Sequence, residues 1–144
     1  MSAPQIRVSR RIKASAERVF DAWLDPAMIG RFMFGEHLRD ETVVSLTNEP
    51  RVGGAFHYKV SRDGAVLDHM GTYREIERPR RLVFTWGIDV EEGDRSVVTI
   101  EIAPDGDGCE LTLTHQLHPD WAEYAERTKG GWTKIVGDLA VVVE

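Results

Sequence analysis

The sequence predicts an α+β fold in which a curved antiparallel sheet of six to seven strands wraps around a long C-terminal helix. Six short stretches between Glu41 and Leu117 alternate apolar and polar residues, which is the period of a half-buried strand. After them, apolar residues recur at three- and four-residue steps, which is the period of an amphipathic helix. The length of 144 residues suits one domain, so we expect residues 1–144 to form a single domain.

The N-terminal part predicts one strand and two short helices. Alternate residues from Ile6 to Ile12 share a strand face on which Arg10 is the exception. If Arg10 points inward it favours a ligand carboxylate, although we favour a bulge that turns it to solvent. Ser15 is placed to cap a first helix, and Asp25-Pro26 supplies a cap and first residue for a second helix that reaches about Phe32.

The middle of the chain predicts the remaining strands, separated by turn residues. Asp63-Gly64 indicates a tight hairpin, an acidic loop runs from Asp89 to Asp94, and Pro104 to Gly108 predicts another turn. The residues expected on the buried face are Phe56, Tyr58 and Val60; Leu67, His69, Gly71 and Tyr73; Leu82, Phe84 and Trp86; Val98, Ile100 and Ile102; and Leu111, Leu113, His115 and Leu117.

The last helix is predicted to open at Pro119-Asp120 and to run to Val143. Its apolar stripe contains Trp121, Tyr124, Ala125, Thr128, Trp132, Ile135, Val136, Leu139 and Val143. Gly130-Gly131 interrupts this pattern, and two interpretations stay open. Either the helix stops at Lys129 and restarts, or the glycines form a patch without side chains that lets the helix approach a strand.

Composition excludes several functional classes. The net charge of −6 argues against a general binder of nucleic acid or of anionic membranes. No run approaches the ~20 apolar residues of a membrane span, and the first residues lack the pattern of an export signal. One cysteine, Cys109, cannot form an internal disulfide, which suits a reducing compartment. We therefore expect a cytoplasmic protein.

No motif for a metal, a cofactor or a nucleophile is present. The five histidines are His37, His57, His69, His115 and His118. None of them has metal-ligand spacing to another, so a zinc site would need His69 and His115 to converge in space. No serine lies in a nucleophile motif, and the glycine pairs match no phosphate-binding loop. We expect no catalytic residues, no metal and no cofactor.

An aromatic and histidine set on the predicted inner face is the candidate site. Plain core packing explains each aromatic residue alone, but several buried imidazole and phenol groups need hydrogen-bond partners. They indicate either a satisfied polar network or a cavity between sheet and helix, and we favour the cavity. The predicted ligand-binding residues are Phe32, Phe34, Phe56, Tyr58, His69, Tyr73, Phe84, Trp86, His115, Trp132, Ile135 and Val136. Phe32 and Phe34 are expected to close one mouth of that cavity.

A family resemblance is carried by six segments in order. They are Ala14 to Trp23, Arg51 to Phe56, Gly71 to Ile76, Arg80 to Trp86, Leu111 to His115 and Gly131 to Thr133. Together they resemble the START-like (SRPBCC) superfamily, in the branch related to the activator of the heat-shock chaperone ATPase. The resemblance implies a helix-grip fold with a hydrophobic cavity. Phe32-Met33-Phe34 stands where many members have a tryptophan pair, so the cavity mouth is expected to differ.

Three functions remain in competition. The first is a protein that binds a small hydrophobic or aromatic molecule, which we favour. The second is an enzyme of cyclase or hydrolase type, with His69 or His115 as general base and Tyr58 or Tyr73 as donor. The third is a co-chaperone that stimulates a partner ATPase, which is disfavoured because only about five residues precede the first strand.

Overall fold

The computed structural model describes residues 4–35, 38–90 and 95–144. A seven-stranded antiparallel sheet has the order β1-β7-β6-β5-β4-β3-β2. The strands are β1 Gln5–Ile12, β2 Thr42–Asn48, β3 Ala55–Arg62, β4 Ala65–Glu77, β5 Arg81–Ile88, β6 Ser96–Asp105 and β7 Gly108–Gln116. The predicted fold class is therefore confirmed. His37 and most of the predicted acidic loop lie outside the described residues.

The two short helices follow β1 as predicted. Helix α1 spans Ala16–Ala22, and the Ser15 side chain caps it by accepting a hydrogen bond from the backbone N–H of Arg18. Helix α2 spans Pro26–Phe32, and the Asp25 carboxylate accepts from the N–H of Ala27. Both caps satisfy backbone donors that have no partner inside the helix. Within the described ranges, none of the helices has the length and apolar character needed to cross a bilayer.

The C-terminal helix begins later than predicted. Pro119–Tyr124 forms a 3₁₀ helix, and α3 spans Ala125–Val143. Trp121 and Tyr124 were expected on the buried stripe, but they are 54% and 40% exposed. Because no residue of the 3₁₀ helix is buried, no packing against the sheet holds this segment in the α-helical register.

Both interpretations of Gly130-Gly131 are wrong. Helix α3 continues through the two glycines without a break. A Cβ atom built at either position meets nothing within 4 Å, so neither glycine permits a close approach to a strand. The two residues lie on the exposed side of α3.

Arg10 does not face a cavity. Its side chain is exposed, as expected. The predicted bulge that would turn Arg10 outward is absent. Strand β1 pairs with β7 in unbroken register from Gln5 to Ile12.

Helix α3 covers the concave face of the sheet and contacts α2, α1 and β1. It buries Trp132, Ile135, Val136, Leu139, Ala140 and Val143. The residues of the sheet that face it form the core predicted from strand alternation, including Tyr58, Phe84, Ile100 and Leu113. A single helix is thus the main cover of a sheet of seven strands.

The segment after α2 is held to the sheet by a buried carboxylate. The Glu41 side chain accepts hydrogen bonds from Arg62 at 2.6 Å, from Arg39 at 3.1 Å and from the N–H of Gly35 at 2.9 Å. Burial opposes ionisation, but the bonds from Arg62 and Gly35 and the charge of Arg39 outweigh it and keep the pKa of Glu41 below its usual value. The bond to Gly35 ties the residue that follows Phe34 to this ion cluster, and the Phe34 ring lies 5.8 Å from the ring of Tyr58 on β3.

Replacing Gly130 or Gly131 by alanine should stabilise the protein. Each position is exposed, helical and sterically open, so each substitution should raise the free energy of unfolding by about 1 kcal/mol. Urea denaturation measures this change.

Gly71→Ala is the matched control, because its Cβ would lie 1.8 Å from the carbonyl oxygen of Thr85 and 2.6 Å from Phe56. This variant should be destabilised by at least about 1 kcal/mol. Equal effects at Gly71 and Gly130 would contradict the described path of α3.

Candidate functional site

Nine of the twelve predicted site residues lie in the packed interior. Phe56 is the centre of this group, with ring centroids 4.7 Å from Tyr58, 5.6 Å from Phe84 and 5.5 Å from Tyr73. All nine are buried: Phe32, Phe34, Phe56, Tyr58, His69, Tyr73, Phe84, Ile135 and Val136. Phe32 and Phe34 are at most 1% exposed, so they fill the core rather than stand at an opening.

The polar groups of this interior are bonded to protein atoms. The hydroxyls of Tyr58 and Tyr73 lie 3.3 Å apart, and the Asn48 side-chain amide donates to Tyr73 at 3.0 Å and to the carbonyl of Leu24 at 2.8 Å. Burial, the largest influence, raises the pKa of both phenols. The tyrosines therefore form a satisfied network of neutral groups, one of the two alternatives that the sequence left open.

His69 is also oriented by the backbone. Its Nδ1–H donates to the carbonyl of Tyr58 at 3.2 Å, which makes Nε2 the nitrogen with the free lone pair. The ring lies between Phe34 and Trp86, with centroids 4.8 Å and 5.6 Å away. Burial lowers the pKa of His69 below its usual value, so the imidazole is neutral near pH 7.

The other three predicted residues, Trp86, His115 and Trp132, line a pocket of about 360 Å³. It lies where the ends of β5 and β7 and the start of β6 meet the 3₁₀ helix and the first turns of α3. Its lining residues are Trp86, Gly87, Ile88, Val90, Ser96, His115, Leu117, His118, Asp120, Trp121, Thr128 and Trp132. The pocket is mostly apolar and carries a few polar groups, which is the usual composition of a small-molecule site.

A chain of hydrogen bonds builds the polar wall of this pocket. Trp132 Nε1–H donates to His115 Nδ1 at 2.9 Å, and His115 Nε2 lies 2.6 Å from Ser96 Oγ. Ser96 Oγ in turn donates to the carbonyl oxygen of Trp86 at 3.0 Å. Because an indole N–H can only donate, His115 Nδ1 carries no proton. His115 is therefore the Nε2–H tautomer, and every proton in the chain points from α3 towards β5.

This direction decides whether His115 could activate Ser96 as a nucleophile. A nucleophilic serine needs a histidine nitrogen that accepts its proton. Here His115 Nε2 already carries a proton and donates a hydrogen bond to Ser96 Oγ, while Nδ1 accepts the hydrogen bond from Trp132. Burial also lowers the pKa of His115 to about 4, which disfavours the imidazolium. The distance between His115 and Ser96 is that of a catalytic dyad, but the hydrogen bond between them runs in the opposite direction.

Sequence reasoning missed Ser96 and Trp121. Ser96 shares strand parity with Val98, Ile100 and Ile102, and it pairs directly with Trp86 across β5 and β6. That parity was the signal that could have placed Ser96 on the inner face. Trp121 was assigned to the buried stripe of a helix that begins only at Ala125, and it stands instead at the pocket.

A metal site is not formed by the predicted histidines. Among residues 4–35, 38–90 and 95–144, no three His, Cys, Asp or Glu side chains are grouped closely enough to hold a metal ion. Cys109 is buried, and that burial raises the pKa of its thiol. The thiol is therefore protonated near pH 7 and unsuited to act as a nucleophile.

A comparison with protein families shows which family the chain belongs to. Residues 13–144 match the model of the family described as activator of Hsp90 ATPase homolog 1-like protein. The chain belongs to this family. The resemblance read from the six sequence segments is thereby confirmed at the level of family. No curated protein matches the sequence.

Solved structures share the fold over almost the whole chain. Protein CV1439 from Chromobacterium violaceum is 26% identical, with a TM-score of 0.79 and 98% of each chain covered. Protein NE0264 from Nitrosomonas europaea is 16% identical, with a TM-score of 0.82 and coverage of 97% of this chain and 94% of its own. An AHSA1-like protein from Aeromonas hydrophila is 23% identical, with a TM-score of 0.77 and coverage of 96% and 91%. These likenesses confirm the helix-grip fold.

The buried neutral state of His115 should make stability fall in mild acid. An unfolded histidine binds a proton near pH 6.5, whereas folded His115 resists protonation until about pH 4. The unfolded state therefore binds more protons in this interval, and its stability relative to the native state rises as pH falls. Between pH 7 and pH 5 the free energy of unfolding should drop by about 2 kcal/mol from this residue.

Urea denaturation at several pH values measures this slope in the parent protein and in His115→Asn. The slope should be reduced in His115→Asn. His69 contributes in the same direction, so a smaller slope should remain. An unchanged slope in His115→Asn would contradict the assignment.

Proposed function

We propose that this protein binds a small, mostly apolar molecule in the pocket lined by Trp86, His115 and Trp132. The observation that carries the proposal is that the polar groups of the wall are hydrogen-bonded to one another. Its hydrogen bonds run between Trp132, His115, Ser96 and the Trp86 carbonyl. A wall of this kind keeps its shape and still offers a few polar contacts, which favours recognition over reaction.

The exposed apolar residues at the pocket support the same conclusion. Ile88 is 41% exposed and Trp121 is 54% exposed, and both belong to the lining. Tyr124 lies beside Trp121, with ring centroids 5.3 Å apart. Large apolar side chains that gather around a concavity are a common mark of a binding site, and a bound guest would remove them from water.

The enzymatic alternative, with His69 or His115 as general base and Tyr58 or Tyr73 as donor, has less support. Both ring nitrogens of His115 are engaged in hydrogen bonds. His69 and the two tyrosines are buried in the interior and do not line the described pocket. Stimulation of a chaperone ATPase is the function that the family description names. No contact or surface among the described residues favours it for this chain, so we do not propose it.

A neutral fluorescent probe tests ligand binding. N-phenyl-1-naphthylamine should bind saturably and gain fluorescence, and Ile88→Glu should weaken its affinity about tenfold by placing a charge at the apolar mouth.

Val66→Glu is the matched control, since Val66 is 57% exposed on β4 and does not line the pocket. This variant should bind as the parent does. Equal weakening in both variants, or the absence of saturable binding, would refute the proposal.

A further inference from the structure

Three of the four tryptophans in the chain line the same pocket. They are Trp86, Trp121 and Trp132, and the fourth is Trp23. The rings of Trp86 and Trp132 have centroids 5.4 Å apart and planes inclined at 58°. Two indoles in this arrangement form a corner rather than a flat stack, and Trp121 provides a third indole from the 3₁₀ helix. Indole has the strongest attraction for cations among the aromatic side chains.

The charges around these indoles favour a positive guest. Among the described residues, the lining contains no lysine or arginine and one carboxylate, Asp120, whose side chain is 85% exposed and lies 3.5 Å from the imidazole of His118, another lining residue. Arg95 lies next to the pocket, where its Nε–H donates to the carbonyl of Val90 at 3.3 Å, but it is not among the lining residues. Because His115 is neutral, it places no positive charge in the wall. The net charge of −6 also attracts cations to the surface.

We propose that the ligand of this pocket is a small organic cation, such as a quaternary ammonium or a protonated amine with an apolar body, held by Trp86, Trp121 and Trp132 with Asp120 at the mouth. This inference rests on the proposed binding function and names its ligand class.

A metal ion would keep its water shell and find few oxygen ligands here. An anion would meet the negative faces of the indoles and the Asp120 carboxylate. The volume of about 360 Å³ is at the small end of ligand sites, which favours a free amine over a two-chain lipid.

Choline and its carbon isostere 3,3-dimethylbutan-1-ol separate this inference from simple apolar binding. The two molecules have the same shape and hydroxyl group and differ only in the charge. A pocket that is merely apolar binds the neutral alcohol more tightly, because the cation loses more hydration. If the indoles and Asp120 act on the cation, choline should bind about threefold to thirtyfold more tightly than the alcohol. Titration followed through the indole N–H resonances gives both affinities.

Variants at the mouth of the pocket show whether the preference for choline over the alcohol comes from the indole of Trp121 or from the carboxylate of Asp120. Trp121→Leu keeps an apolar side chain but removes one of the three aromatic faces, so it should reduce the preference for choline and leave the affinity for the alcohol within about twofold. Trp121→Phe should keep part of the preference. Asp120→Asn should weaken choline alone, by about twofold at low salt, and added salt should remove that difference. Dihexanoylphosphatidylcholine, below its micelle concentration, should bind less tightly than choline.

Each outcome decides between the two proposals. A preference for choline that Trp121→Leu reduces supports the inference. Equal or tighter binding of the alcohol overturns it and leaves the apolar binding function standing. If neither molecule binds while N-phenyl-1-naphthylamine does, the cation inference fails alone, and if all three fail to bind, the proposed function fails with it. Tighter binding of the phosphatidylcholine would reassign the cation to a lipid headgroup.

Discussion

The hydrogen bond from Trp132 to His115 fixes the relation between the C-terminal helix and the sheet. Helix α3 supplies the indole, β7 the imidazole, β6 the hydroxyl of Ser96 and β5 the carbonyl of Trp86. One unbroken chain of donors and acceptors therefore joins the helix to three adjacent strands. Each of these groups would be costly to bury alone. Only one rotation of the helix about its own axis lets all of them form their hydrogen bonds. That rotation also fixes which side chains form the walls of the pocket.

The position of the pocket follows from the way that helix α3 lies over the sheet. One helix lies along the concave face of seven strands, and large rings occupy the space beneath it, with Phe56 in contact with Tyr58, Tyr73, Phe84 and Trp86. Close packing of these rings leaves little room at the centre. The described pocket lies at one end instead, where the 3₁₀ helix replaces the predicted first turns of α3. The change from α-helix to 3₁₀ helix places Trp121 at the opening rather than against the sheet.

Strand parity and capping residues were enough to predict the fold. Alternation placed Tyr58, Phe84 and His115 on the correct face, and Ser15 and Asp25 gave the starts of α1 and α2. The details that failed depend on tertiary contacts that no local pattern contains. The apolar spacing of Trp121 and Tyr124 resembles a buried stripe whether or not a strand lies beneath it. Likewise Gly130-Gly131 looks like a break until the rest of α3 is seen to hold the helix together.

The candidate site was predicted in part, for a related reason. Parity gathered twelve side chains on one face, but it does not say which of them pack against each other and which border open space. Three of them, Trp86, His115 and Trp132, line the described pocket. The tautomer of His115 was also beyond the sequence, because it is set by an indole seventeen positions away in the chain. Because of that single bond, His115 and Ser96 form a structural wall, although their distance of 2.6 Å would also suit a catalytic pair.

The protonation state of the two His115 nitrogens tests this account most directly. Long-range ¹⁵N–¹H correlation spectra of protein labelled with ¹⁵N-histidine report it at pH 7. We expect a neutral ring with the proton on Nε2 and a bare Nδ1, and we expect Trp132→Phe to release that preference. A proton on Nδ1, or an imidazolium at this pH, would mean that Trp132 does not donate to His115 and that the wall is not built as described.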